Sequence, residues 1–278
     1  MMEQFEVIYE DAHILVVYKP AGVPTQTARI GQQDMVSLLK NYRMKKGEKP
    51  YIGLIHRLDQ PVEGILVFAK DEKSAAKLSS QVQKHTMKKK YYGLVEGCPL
   101  EEEAILENRM AFDKRNNSSY LIVEKGEAVP GKGGPRGDEQ DEQREGLSGE
   151  GGQREAGTFH FALTEKQAKG KGLKLQNAKL SYKVVNSGVV HNTEEKKESS
   201  TCEDRVQTVL DISLFTGRHH QIRLQMAGMG CPLVGDQKYG QGVIGQNVAL
   251  CAYGLEFEHP ATGEHLTFGI SPKNPLFS

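Results

Sequence analysis

The 278-residue chain is predicted to fold as one α+β domain, a mixed, largely antiparallel sheet flanked by helices and loops. Three observations lead there. Apolar runs of strand length outnumber segments with helical spacing, and no regular strand–helix alternation marks a doubly wound sheet. No internal repeat divides a chain that is long enough to bury a substantial core.

The first segment, FEVIYEDAHILVVYKPAGVPTQ, reads as two short strands around an Asp-Ala turn. Lys-Pro-Ala-Gly then ends the second strand, combining a missing backbone donor with a flexible turn. Residues 34–46 place Met35, Leu38, Leu39 and Tyr42 on one helical side. YIGLIHRLD leads through Gln60-Pro61 into the strand GILVFAK. Pro61 cannot donate to a ladder, so Asp59 belongs to a turn or loop between extended segments. Asp71 caps a helix expected over about 72–87, with Ala75, Leu78 and Val82 as its apolar stripe. KYYGLVEG is the next strand, followed by candidates at 180–186, 206–214, 250–257 and 265–270. A short helix is expected around Gln221–Met226.

From about 124 to 157 the pattern collapses into a stretch rich in Gly, Glu and Gln and almost free of apolar groups. Such a stretch cannot bury enough surface to offset its ordering entropy, so a disordered insertion is expected there. Weak structure is expected to extend to about 178, and an exposed loop to occupy about 192–204. These segments interrupt a single domain spanning residues 1–278.

Composition excludes several classes. No apolar run approaches the roughly 20 residues needed to cross a bilayer. The acidic start MMEQFEVIYE resembles no secretory or transit signal, so a cytoplasmic location is expected. Cys98, Cys202, Cys231 and Cys251 form no close pair, which argues against structural zinc, redox pairs and a disulfide framework. Formal net charge is zero, yet both polar interruptions are net acidic, leaving a basic excess on the remainder. That excess is gathered at Arg43, Lys45, Lys46 and Lys49, and again at Lys84, Lys88, Lys89 and Lys90. A Gly-x-Gly pattern occurs only in the polar stretch, without the strand and helix that bind a dinucleotide.

Two segments concentrate polar groups beside apolar runs. The first is His56-Arg57-Leu58-Asp59; the second, TGRHHQIRLQMAGMGCPLVGDQKYG, holds Arg218, His219, His220, Gln221, Arg223 and Asp236. Alone, Arg57 and Asp59 would pass for a structural ion pair. Neighbouring His219 and His220 rarely face the same way and lack clustered acidic partners, so no metal site is expected.

In combination, these segments resemble the RluA-type RNA pseudouridine synthases. IHRLDQPVEGILVFAK is similar to the family's His-Arg-Leu-Asp signature, and TGRHHQIR with the later Gly-Asp-x-x-Tyr-Gly to its second block. EDAHILVVYKPAGVPTQ, KKYYGLVEG and LCAYGLEFEHPATGE resemble three further blocks, all in the family's order. The resemblance implies the pseudouridine synthase fold, with its cleft across the sheet. It implies Asp59 as the catalytic aspartate, Tyr92 as the tyrosine stacking on the target uracil, and Arg223 as the basic partner of the aspartate. It further implies Arg57 and Lys90 as substrate contacts and Ile222 as the apolar floor. No cofactor is implied, and the expected partner is structured RNA, ribosomal or transfer, bound by a monomer lacking the S4-type domain of many relatives. Val62-Glu63 stands where the family has Thr-Ser, which adds a negative charge near the active strand.

The chemistry so implied is an isomerisation. The bond from ribose C1′ to uracil N1 breaks, C1′ rejoins the base at C5, and the C5 proton leaves. One carboxylate beside sugar and base serves either as nucleophile or as base, with Arg223 supplying the opposite charge. The base must be extruded at a cost of a few kcal/mol, and stacking on a tyrosine returns about 1–3 kcal/mol. A fold retained as a catalytically impaired RNA-binding module is the main alternative, motivated by Val62-Glu63. A metal-dependent phosphoesterase using His56, Asp59, His219 and His220 is a distant third.

Overall fold

A computed structural model describes residues 5–27, 29, 31–124, 160–190, 205–243 and 245–277. The expected disordered insertion, apart from Glu124, and the 192–204 loop lie outside the described residues, as does Cys202.

The apolar runs near the N-terminus become strands buried on both faces. β1 (Glu6–Glu10) pairs with β2 (Ile14–Lys19), which pairs in turn with β4 (Glu63–Ala69); both β2 and β4 are buried along their whole length. Side chains alternate across a strand, so each run feeds two cores. Leu15, Val17, Leu66 and Phe68 join one core with Met35 and Leu39 of α1 (Met35–Lys45) and with Ile222 and Met226 of α4 (Gln221–Gly228). Ile14, Val16, Ile65 and Val67 face the other core, where Leu78 of α2 (Glu72–Gln83) packs. Asp34 and Asp71 cap α1 and α2 by accepting the Ser37 and Ser74 N–H groups. α2 stops at Gln83, earlier than the expected 87, because His85 turns into the left-handed region at φ 57°.

The sheet continues through β11 (Leu250–Glu258), β5 (Lys88–Glu96), β10 (Arg205–Leu214) and β9 (Leu175–Val190). It ends with β6 (Glu103–Asp113), β7 (Ser118–Val123) and β8 (Ala162–Thr164). Two short strands join from the side, β3 (Gly53–Leu54) on β4 and β12 (His265–Gly269) on β11. Among the described residues only the β4–β11 and β7–β8 pairings are parallel, giving the expected mixed, largely antiparallel α+β sheet. At the β4–β11 contact Gly64 has φ 135°, and a Cβ there would sit 2.5 Å from the Ala252 carbonyl oxygen. Only glycine admits that approach.

One expectation is corrected. Residues 166–178 are not weakly structured: they include α3 (Glu165–Gly170), whose Thr164 and Gln167 form a capping box, and the start of β9. The β6–β7 hairpin went unread because β6 is largely exposed and interleaves charges with its apolar residues. In the first basic cluster Arg43 and Lys46 have partners within the fold, while Lys45, Lys46 and Lys49 stay exposed. Arg43 is buried and donates to Glu48 and to the Tyr51 and Lys70 carbonyls, and Lys46 pairs with Glu10.

Candidate active site

Asp59 sits in the loop joining β3 to β4, as the Pro61 reading required. The loop is tied down on either side of Asp59. Thr25 Oγ1 donates to the Leu58 carbonyl at 2.8 Å and accepts the Leu58 N–H at 3.1 Å. Val62 N–H closes the turn onto the Asp59 carbonyl, and Gln60 exchanges hydrogen bonds with the backbone of Gly22. Lys19, fully buried, donates through Nζ to the carbonyls of Pro20, Val23 and Gln60. Burial pushes this ammonium down to about 7, against the raising influence of Asp59 and Glu63. The Lys-Pro-Ala-Gly turn is therefore the support under the Asp59 loop.

The second polar segment arrives from the opposite wall. Arg223, in the first turn of α4, reaches Asp59 Oδ2 with Nη1 at 3.3 Å. Its other edge grips Asp236, Nε to Oδ2 at 2.8 Å and Nη2 to Oδ1 at 2.7 Å. Asp236 has no solvent exposure, and it also accepts the Lys238 and Tyr239 N–H groups. Burial alone would raise the Asp236 carboxyl, but the guanidinium and these donors hold it below its usual value. For Arg223 the balance runs the same way: burial lowers its pKa, and Asp236 with Asp59 more than restores it. The guanidinium is thus a fixed positive charge beside a carboxylate whose side chain keeps 28% exposure to the cleft.

The cleft over Asp59 has a volume of about 990 Å³. Arg57 stands exposed at its rim, and Ile222, only 5% exposed, forms part of its apolar wall. The structure brings Asp59, Arg223, Arg57 and Ile222 together as expected. It does not bring Tyr92 or Lys90. On β5 the side chains alternate, and Lys89 and Tyr91 line the cleft. Tyr92 lies on the reverse side, stacked on Tyr253 with ring centroids 3.9 Å apart, and Lys90 packs over Gly254. The tyrosine facing Asp59 is Tyr91, buried, its hydroxyl pushed up by burial and by the Asp59 charge. Lys-x-Tyr occurs twice in KKKYY, and the cleft-facing copy is Lys89-Lys90-Tyr91.

Glu63 also changes meaning. Its carboxylate is buried away from the cleft, accepting the Tyr18 hydroxyl at 2.5 Å and the Lys273 and Asn274 N–H groups at 3.0 and 2.9 Å. It anchors the C-terminal segment to β4 and adds no charge to the cleft wall. His56, His219 and His220 are all held neutral by burial, at about 3, 4 and 3. His219 contacts Ser119 Oγ through Nδ1, and His220 contacts the Tyr239 hydroxyl. Both imidazoles are committed to buried side chains behind the cleft wall, and among the described residues no metal-binding cluster forms. A buried cation, a facing carboxylate and an adjacent buried tyrosine make a pocket suited to a flipped base and its ribose.

Comparison with known proteins bears on the family and the fold. Residues 13–228 match the family model described as RNA pseudouridylate synthase. The uncharacterized RNA pseudouridine synthase YhcT of Bacillus subtilis is 27% identical over 263 residues, covering 94% of this chain and 66% of that protein. The tRNA pseudouridine synthase C of Vibrio parahaemolyticus is 25% identical over 278 residues, covering 96% of this chain and 90% of that one. Among solved structures, human RNA pseudouridylate synthase domain containing 4 superposes with a TM-score of 0.61 at 20% identity. The match covers 96% of this chain and 89% of that one, and it shows the fold.

Proposed function

The chain belongs to the RNA pseudouridylate synthase family, of the RluA type, and we propose that it isomerises specific uridines in structured RNA, with Asp59 as its catalytic carboxylate. The observation that carries the assignment of Asp59 is its pairing with Arg223. This carboxylate is partly exposed to a large cleft, on a loop held rigid, with a buried guanidinium 3.3 Å away that is itself locked by Asp236. Preorganised charge of this kind needs no rearrangement when the substrate arrives.

In the proposed reaction the target uridine leaves its stack and enters the cleft. Asp59 acts at the ribose, either as nucleophile on C1′ or as base toward the sugar, while the N1–C1′ bond breaks. The freed base turns, C5 bonds to C1′, and the C5 proton leaves as N1 gains one. Tyr91 stacks on the base, and Ile222 closes the apolar wall. Arg57 at the rim, with the half-buried ammonium of Lys89 in the wall, supplies charge for the RNA backbone. The RNA is ribosomal or transfer RNA, as with the relatives named for those substrates. No helix among the described residues is long and apolar enough to cross a membrane, and a cytoplasmic monomer is the proposed state.

The reaction is read most simply with RNA tritiated at uridine C5. Wild-type protein should release tritium to water, and Asp59→Asn should not. Equal release by both proteins would remove Asp59 from the chemistry.

A further inference from the structure

Two cations or donors address Asp59, and both address one oxygen. Arg223 Nη1 lies 3.3 Å from Oδ2, and His220 Nε2 lies 3.7 Å from the same atom. Among the described residues no protein group bonds Oδ1. The two carboxylate oxygens are therefore unequal before any substrate binds.

The His220 ring is held with unusual care. Its backbone adopts φ 54°, a left-handed conformation that is unfavourable for a non-glycine residue. Strain kept at a cleft wall is a reason to look for function there. On one face the ring stacks on His219, centroids 3.7 Å apart and planes 26° off parallel; on its edge it meets Tyr239. His220 opens α4 without capping it through its side chain, so the imidazole is not serving the helix end.

The hydrogen bonds fix its tautomer. Ser119 N–H donates to the Tyr239 hydroxyl oxygen at 3.1 Å. Tyr239 is 1% exposed, so its hydroxyl hydrogen needs a protein acceptor. His220 Nδ1 lies in reach at 2.9 Å, on the side of the hydroxyl that faces the cleft histidines, with the Ser119 side chain as the other neighbour. Nδ1 therefore accepts, the ring proton sits on Nε2, and that N–H points toward Asp59. Burial supports the neutral ring, holding His220 at about 3 although Asp59 pulls it upward.

We propose that His220 is a positioning residue: a neutral Nε2–H donor, set by Tyr239, that shares Oδ2 of Asp59 with Arg223 and leaves Oδ1 to the ribose. The 3.7 Å separation is longer than a formed hydrogen bond, and it closes as the nucleotide fills the cleft and displaces water. The role rests on Asp59 being the catalytic carboxylate, and it gives His220, through its approach to Oδ2, a part in fixing which oxygen reacts. A neutral donor suits the task better than a second cation, because it orients the carboxylate without quenching its reactivity.

The test uses the full chain. Long-range proton–nitrogen NMR of ¹⁵N-histidine protein should show His220 protonated at Nε2 and bare at Nδ1, and Tyr239→Phe should mix the two tautomers. In turnover of C5-tritiated RNA, His220→Asn keeps a residue that tolerates the left-handed backbone but is too short to reach Asp59. It should lose kcat by about 100-fold, the scale of a misplaced reacting group, with KM and melting temperature unchanged. His220→Gln, which restores an N–H of suitable reach, should recover part of that loss. A wild-type ring protonated at Nδ1 would overturn the proposal. So would a His220→Asn protein with wild-type kcat while Asp59→Asn is inactive, or equal losses in the Asn and Gln variants. Should the wild type make no pseudouridine at all, the functional reading itself falls, and the NMR result still decides the tautomer.

Discussion

Replacing Asp236 with Asn separates what Arg223 contributes to stability from what it contributes to chemistry. The carboxylate takes four hydrogen bonds, two from the guanidinium and two from backbone N–H groups, without solvent contact. Asn keeps one acceptor oxygen and turns an NH₂ toward the Arg223 donors, so a buried guanidinium loses its main counter-charge. Breaking one side of a buried pair costs about 3–5 kcal/mol. In a chain of this size that lowers the melting temperature by roughly 6–20 °C. The pH sign is fixed by the folded carboxyl lying below its ordinary value of 3.8. The stabilisation is present above the unfolded pKa and is lost as pH falls through the folded one, so wild type and variant converge in strong acid. The double variant Arg223→Met with Asp236→Leu removes both charges and should regain most of the stability, yet remain inactive because Asp59 has lost its cation. Calorimetry at pH 7 paired with a turnover assay reads both effects. An Asp236→Asn protein melting within about 2 °C of wild type would refute the account of Arg223 as a locked, buried charge.

Tyr91→Ala should lower turnover by removing the ring that stacks on the base, whereas Tyr92→Ala should spare turnover and cost about 0.5–1.5 kcal/mol beyond lost burial, from the Tyr253 stack; kinetics and melting on the two proteins decide it. Glu63→Ser should leave activity near wild type while the Lys273 and Asn274 amides exchange faster with deuterated water, since both donate to this carboxylate. Slow exchange there after substitution would discard the anchoring role. Because His56, His219 and His220 titrate near 3, 4 and 3 in the fold against 6.5 unfolded, the unfolded chain binds more protons below pH 6.5. Melting temperature should accordingly fall as pH drops from about 6.5 toward 4, and a flat profile over that range would contradict the neutral imidazoles.

Much of this was legible in the residues themselves. The runs ILVVYK and GILVFA could be read as strands because both of their faces are buried, and Pro61 alone was enough to put Asp59 on a loop. What was not legible was facing and distant pairing. KKKYY holds Lys-x-Tyr in two registers, and only the neighbours of β5 show that Tyr91 faces the cleft. The apolar phase Tyr91, Gly93, Val95 was the available signal. Asp236 lies 13 residues from Arg223 across a turn, a spacing that no period links to a bidentate pair. Glu63 looked like a charge set against RNA because its burial depends on residues 273–274, far along the chain. The β6–β7 hairpin escaped notice because the largely exposed β6 needs no strong apolar alternation.

The most direct test of the central claim is pseudouridine mapping of total RNA incubated with wild-type or Asp59→Asn protein. New pseudouridines at a small set of sites with the wild type, and at none of them with the variant, is the predicted result. The same sites appearing with both proteins, or no site appearing with wild type that binds the RNA, would contradict it.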